Sequence, residues 1–154
     1  MHVEEAANMA IETATPMATV YELARTMARC GVGFVPIIEE GQLKGVVTDR
    51  DLVVRCLAEN RDPLHTDAYD IMSGPPAWIY ADEDIDNALR RMIEMNVRRL
   101  VVKNRHGRCV GVLTVDDIAK SAKGEEAAGQ VLRRVAPTIP ATVGLNLGDF
   151  DFEE

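Results

Sequence analysis

Histidine, cysteine and aromatic side chains are all scarce in this sequence, and each scarcity removes a class of chemistry. The three histidines, His2, His65 and His106, share no ligand spacing with one another or with a carboxylate cluster, so a metal centre is not expected. The three cysteines, Cys30, Cys56 and Cys109, stand far apart without a CxxC pair. Neither a disulfide framework nor a zinc knuckle is indicated, and reduced thiols in the cytoplasm are the simplest reading. No window reaches the roughly 18 apolar residues of a membrane span, and MHVEEAANMA at the start carries acids in place of an apolar leader. Positive charge is short as well. With 17 Lys and Arg against 25 Asp and Glu, a net charge of -8 disfavours nucleic acid, whose phosphates require a basic face. GVG at 31–33 lacks the third glycine and the preceding strand of a dinucleotide fingerprint, and no phosphate loop ending in GKS or GKT exists.

What the chain has is a duplication. At 154 residues and 47% hydrophobic content it can bury a core as one domain or as two small units. TVYELARTMARCGVGFVPII from Thr19 lies over DIDNALRRMIEMNVRRLVVK from Asp84, with Val20 over Ile85, Leu23 over Ala88, Ala24 over Leu89 and Met27 over Met92, 65 positions apart. GQLKGVVTDRDL lies over HGRCVGVLTVDDI, so that Gly45 matches Gly111, Thr48 matches Thr114 and Asp51 matches Asp117, now 66 apart. Each stripe has the i, i+3, i+4, i+7 spacing of an amphipathic helix. Thr19 with Glu22 has capping-box spacing, Asp84 caps the second stripe, and Gly31 and Asn96 stand where each helix stops.

Two short strands follow in each copy, around 35–39 and 43–48, then around 100–103 and 109–114, joined by the glycine turns EEG and NRHG. A second helix comes next, about 50–59 and about 115–121, the latter resuming after Gly124 through Arg134. Extended stretches, 9–15 and 77–81, precede each unit. The fold class is α+β, with the unit β-α-β-β-α read twice, over 9–62 and 68–122, and a carboxy-terminal helix and acidic tail over 123–154.

The informative residues are GVVTDRD and GVLTVDD, each a strand ending in Thr with Asp three residues on. A hydroxyl and a nearby free N–H at a strand end suit a phosphate, and an ionised carboxylate in the first helical turn suits the vicinal hydroxyls of a ribose. Taken singly, each pair is also a helix cap. Two copies at equivalent positions of repeats that have otherwise diverged favour a ligand. No nucleophile, base and orienting group fall together in either copy, so no catalytic residue is assigned and an enzyme is not expected.

The duplicated unit, the strand with Pro36 and the G-h-h-T-x-x-D endings resemble the cystathionine-β-synthase (CBS) domain, found in tandem as a Bateman module, over about Met9 to Ser121. The resemblance implies two repeats packed as a pseudo-two-fold sandwich whose clefts bind an adenosyl ligand. AMP, ADP or ATP lead, with S-adenosylmethionine or NAD as alternates. It places ribose-binding on Asp51 and Asp117 and the strand-end hydroxyls on Thr48 and Thr114. VRRLVV resembles a phosphate-touching stretch in a kinase-subunit member of the family, which has His where this chain has Arg. That maps contacts onto Arg98, Arg99 and Leu100, and onto Gly33, Phe34 and Val35 in the first copy.

The stretches before each unit, 9–13 and 76–79, would line an adenine pocket. The second cleft is thus expected to hold Met9, Pro76, Ala77, Arg98, Arg99, Leu100, Thr114 and Asp117. The first is expected to hold Ile11, Thr13, Gly33, Phe34, Val35, Thr48, Arg50 and Asp51, with Arg50 the only nearby cation. Phosphorylated ligands are then expected to bind more tightly beside Thr114 and Asp117. Trp78 is expected to pack, although its place also allows stacking on an adenine. The implied protein is a stand-alone regulatory module, a homodimer acting on an unidentified protein; the alternative is a structural or interaction protein with unoccupied clefts.

Overall fold

Each sequence stripe becomes a helix whose ends are fixed by the residues that the pattern marks. The computed structural model describes residues 1–121 and 124–135. Its elements run α1 (Val3–Ala6), α2 (Val20–Cys30), β1 (Phe34–Glu39), β2 (Gln42–Thr48), α3 (Asp49–Asp51) continued by a π-helical stretch (Leu52–Leu57), α4 (Ala68–Ile71), β3 (Trp78–Tyr80), α5 (Ile85–Glu94), β4 (Arg99–Lys103), β5 (Cys109–Thr114), α6 (Val115–Lys120) and α7 (Gly124–Arg134). At the start of α2 the Thr19 hydroxyl accepts the Glu22 N–H at 3.1 Å and the Glu22 carboxylate accepts the Thr19 N–H at 2.9 Å. Gly31 ends it at φ 64°. In α5 the Asp84 carboxylate accepts the Asp86 N–H at 2.9 Å, and Asn96 turns the chain out at φ 53°. Thr19→Ala leaves the Glu22 amide to water, and it is expected to cost about 1 kcal/mol in chemical denaturation.

The strands pair as the duplication requires. β1 and β2 are antiparallel with Phe34 opposite Thr48, and β4 and β5 are antiparallel with Arg99 opposite Thr114. β3 adds to β4 in parallel, Ile79 facing Val102. The first copy keeps only one such pairing: the Ala14 N–H reaches Pro36 O at 3.0 Å and Ala14 O accepts the Ile38 N–H at 2.8 Å. Ala14 offers a methyl group where Ile79 buries a branched side chain, so little apolar area holds a longer strand there.

The two cores exchange elements. Val3 of α1 is fully buried in the core of the second repeat, with Ile79, Ile85, Leu100, Leu113 and Ile118, while Ala68 and Ile71 of α4 belong to the core of the first, with Leu23, Val35, Ile37 and Val47. Neither α1 nor α4 has a sequence stripe long enough to announce a helix. The backbone makes the exchange explicit. Asn8 and Val112 trade N–H···O bonds of 3.0 Å in both directions, and Ser73 and Val46 trade bonds of 2.9 and 3.3 Å. Each segment leading into one repeat is therefore stitched to the last strand of the other.

The repeats also differ in cover. α7 lies over α5 and α6 and buries Ala128, Val131 and Val135 in the second core. On the first repeat Tyr21, Val53, Val54 and Leu57 stay exposed. The part of the tail from Pro137 lies outside the described residues. No helix among the described residues is long and apolar enough to cross a membrane.

Candidate functional site

Both Thr-x-x-Asp pairs close as reciprocal caps. The Thr48 N–H donates to Asp51 Oδ2 at 2.8 Å and the Asp51 N–H to Thr48 Oγ1 at 3.2 Å. In the second copy the Thr114 N–H donates to Asp117 Oδ2 at 2.8 Å, the Asp117 N–H to Thr114 Oγ1 at 3.1 Å, and the Thr114 hydroxyl to Asp117 Oδ2 at 2.7 Å. The free strand-end N–H expected for a phosphate is therefore already spent on a carboxylate. Reciprocal capping satisfies donors that the helix itself leaves unpaired, which is why it forms whenever the spacing permits.

The second oxygens are what distinguish the copies. Asp51 Oδ1 lies 3.7 Å from Arg55 Nε, on a carboxylate only 13% exposed. The pair has the i, i+4 spacing of neighbours on a helix surface, and Arg55 Nη1 also donates to Ile71 O at 3.0 Å and Met72 O at 3.2 Å. Arg55 thus ties the Asp51 carboxylate to the segment joining the repeats. Position 121, its counterpart, is a serine whose hydroxyl bonds Ile118 O. Among the described residues Asp117 Oδ1 has no partner. Arg55→Met keeps the packed stem and removes these bonds; because the side chain is 47% exposed, a loss of only about 1 kcal/mol is expected on chemical denaturation.

Two clefts open between the repeats, and the strand exchange decides what lines each. The one beside Thr114 and Asp117, about 410 Å³, takes Asn8, Ala10, Ile11 and Glu12 from the segment paired with Val112, together with Val32, Gly33 and Phe34 of the first repeat and Arg99. The one beside Thr48, about 520 Å³, takes Ser73, Gly74, Pro75, Pro76 and Ala77 from the segment paired with Val46, together with Met95, Val97, Arg98, Arg99 and Phe34. The grouping read from sequence is thereby corrected. Ile11, Gly33 and Phe34 stand with Asp117, while Pro76, Ala77 and Arg98 stand with Thr48. Each cleft combines the strand end of one repeat with the strand entrance of the other, a consequence of the pseudo-two-fold arrangement.

The remaining candidates lie off both walls. Val35 and Leu100 follow Phe34 and Arg99 by one residue, so strand alternation turns them into the two cores, where both are fully buried. Arg50 and Thr13 are exposed outside the clefts, and Asp51, bonded to the Thr48 N–H, lines neither. Met9 instead lies over Gly111, its Sδ 2.7 Å from where a Cβ would be. Phe34 and Arg99, equivalent positions of the two copies, meet at the pseudo-axis with the guanidinium 5.7 Å from the ring centroid, and both face both clefts. Sequence comparison places them in register; only the fold brings them into contact. Asn8 and Ser73 are wall residues that carry no signal in the sequence.

Three further cations of the second copy, Arg91, Lys103 and Arg105, stand against the aromatic side chains of β3 and not in a cleft. Lys103 Nζ stands 4.6 Å and the Arg91 guanidinium 5.5 Å from the Trp78 ring centroid, and Arg105 stands 4.1 Å over Tyr80 while its Nε donates to Asp82 at 2.9 Å. That contact holds the Asp82 carboxyl below the usual range. Arg91 also donates to the Trp78 carbonyl, and the Tyr80 N–H donates to Glu83 at 3.1 Å, so the outer edge of β3 is closed. Trp78 packs at this edge and lines neither cleft.

The three cysteines are free: Cys30 exposed, Cys56 buried, and Cys109 partly buried, with its thiol pushed up by burial. Iodoacetamide at neutral pH is expected to modify Cys30 first in the folded protein, with Cys109 and Cys56 following only on unfolding.

Two duplicated α+β units forming a pseudo-two-fold pair, with a cleft at each junction, define a tandem-repeat module. A family model of the CBS domain matches residues 3–57 and 68–124, and the chain belongs to that family. The uncharacterized protein MK0525 of Methanopyrus kandleri is 32% identical over 117 residues, which cover 75% of this chain and 60% of that protein, so the chain spans less than two thirds of that relative. The CBS domain pair of protein MJ0100, solved in complex with 5′-methylthioadenosine and S-adenosyl-L-methionine, superposes with a TM-score of 0.69 at 25% identity, covering 78% of this chain and 98% of that chain. The CBS domain protein PAE2072 of Pyrobaculum aerophilum, complexed with AMP, superposes with a TM-score of 0.69 at 24% identity, over 80% of this chain and 94% of that chain.

Proposed function

We propose that this chain is a non-catalytic, cytoplasmic regulatory module that binds an adenosyl ligand between its repeats and reports it by a change of shape or of assembly. AMP, ADP and ATP head the candidates, followed by S-adenosylmethionine and NAD. The observation that carries the reading is that each cleft is built from both repeats. A ligand touching a strand end of one repeat and a strand entrance of the other has different affinity for different arrangements of the two, which is the requirement for a switch. The adenosyl ligands bound by MJ0100 and PAE2072 support the ligand class. The readout is a protein partner, with a homodimer as the working assembly and the uncovered helical face around Tyr21, Val53 and Leu57 as its seat.

Calorimetric titration with AMP, ATP, S-adenosylmethionine and NAD, with light scattering on the same samples, tests this. Saturable binding of at least one, with a change in mass or radius, is expected; no binding by any removes the sensor reading. One observation favours the competing reading of an interaction protein with unoccupied clefts, namely that both Thr-x-x-Asp pairs are already satisfied as caps. Under that reading Asp51→Ala and Asp117→Ala change stability alone.

A further inference from the structure

The walls of the two clefts carry opposite charge. Beside Thr114 stand two carboxylates, Glu12 and Asp117, against one cation, Arg99. Glu12 has Arg29 3.9 Å away, but both are largely exposed and water screens that pair. Beside Thr48 stand Arg98 and Arg99 with no carboxylate on the wall. Asp51 is bonded to the Thr48 N–H but does not line the cleft, and Arg55 stands at its second oxygen. Of the five N–H donors of Arg98, one is used on Val135 O at 3.1 Å.

Resting on the adenosyl reading above, we propose that the clefts sort ligands by charge: the Thr48 cleft takes a phosphate-bearing adenine nucleotide, and the Thr114 cleft takes an adenosyl ligand without phosphate, neutral or cationic at its 5′ end. A phosphate placed beside Thr48 shares its cleft with two guanidinium groups, which hold phosphate oxygens by charge-assisted bonds. The same group beside Thr114 faces two carboxylates that repel it and finds both strand-end donors committed to the cap. A ribose diol has the reverse preference. Asp117 Oδ1 is an unused anionic acceptor, whereas Asp51 Oδ1 is shared with Arg55. A thioether or sulfonium substituent suits a wall formed by Ile11, Val32, Phe34 and Val112 with acids nearby. One chain then reads two metabolites at once, and the shared pair Phe34 and Arg99 lets each cleft sense the other's occupancy.

AMP and 5′-methylthioadenosine are the probes, titrated calorimetrically into the full chain, each alone and in the presence of a saturating amount of the other. Both are expected to bind one per chain and neither to displace the other. AMP affinity is expected to fall with added salt while methylthioadenosine affinity holds, a measurement that needs no variant. Arg98→Gln is expected to weaken AMP at least tenfold and to leave methylthioadenosine within twofold. Mutual displacement, or equal weakening of both probes by Arg98→Gln, overturns the sorting while leaving the adenosyl reading intact. Absence of binding by either probe overturns both.

Discussion

Asp117→Asn is expected to leave the protein as stable as the parent within about 0.5 kcal/mol and to weaken an adenosyl ligand in the Thr114 cleft roughly a hundredfold, while Asp117→Ala weakens binding equally and costs about 1 kcal/mol of stability. The carboxylate has two duties on two oxygens. Oδ2 accepts the Thr114 N–H and hydroxyl, while Oδ1 is left for the ligand. Asparagine keeps one carbonyl oxygen, enough for the cap, and replaces the other by an amide donor that cannot accept from a ribose hydroxyl. Alanine removes both. Calorimetry and urea denaturation of the two variants separate the duties: equal binding by parent, Asn and Ala variants would reduce Asp117 to a cap.

The second large effect is structural. Gly45→Ala is expected to lower stability by about 2–3 kcal/mol and to loosen the segment at 72–77. A Cβ at Gly45 collides with the Ser73 carbonyl oxygen, and the Met72 Sδ stands 3.0 Å away. Backbone cannot rotate aside as a side chain can, so the Ser73–Val46 bridge must open. Gly111→Ala meets the same obstacle in the other copy, where the Asn8 carbonyl lies 2.9 Å from the new methyl. Amide hydrogen exchange at Ser73 and Val46 should accelerate in the first variant and at Asn8 and Val112 in the second. An alanine variant with parental stability and protection would contradict the tight exchange of segments between repeats.

These glycines show where sequence reading ends. The 65-residue repeat, the caps at Thr19 and Asp84, and the stops at Gly31 and Asn96 are local, and the structure places them as the pattern predicts. The β-α-β-β-α unit and its pairing in tandem follow from the same local signals, although in the first copy the leading strand shrinks to the single bridge at Ala14. Which segment closes which cleft is a long-range fact. Nothing within a ten-residue window distinguishes Met9–Glu12 packing on its own repeat from packing on the other, which is why the sequence pattern groups Pro76, Ala77 and Arg98 with Asp117 and the fold groups them with Thr48. Alternation along the strand, by contrast, is readable. Val35 and Leu100 neighbour wall residues in sequence and face away from them, as the period of two requires.

The capping boxes carry a second lesson. Thr-x-x-Asp reads as a ligand motif only because it recurs at equivalent places, yet in both copies its first action is to close its own helix. The two duties coexist because a carboxylate has more acceptor sites than a cap uses. The Asp51–Arg55 pair has the i, i+4 spacing of a helical ion pair and is local, whereas the bonds from Arg55 to the Ile71 and Met72 carbonyls cross to another segment and have no signal in the sequence.

The central claim is that the junctions between the repeats are adenosyl-binding clefts, and residue-resolved amide NMR during a titration with AMP tests it most directly. The account predicts saturable shifts at Thr48, Gly74, Ala77, Arg98 and Arg99, with the helical face at Val53 and Leu57 changing only as the assembly responds. Shifts that fail to saturate, or that saturate only at residues away from both clefts, would contradict it.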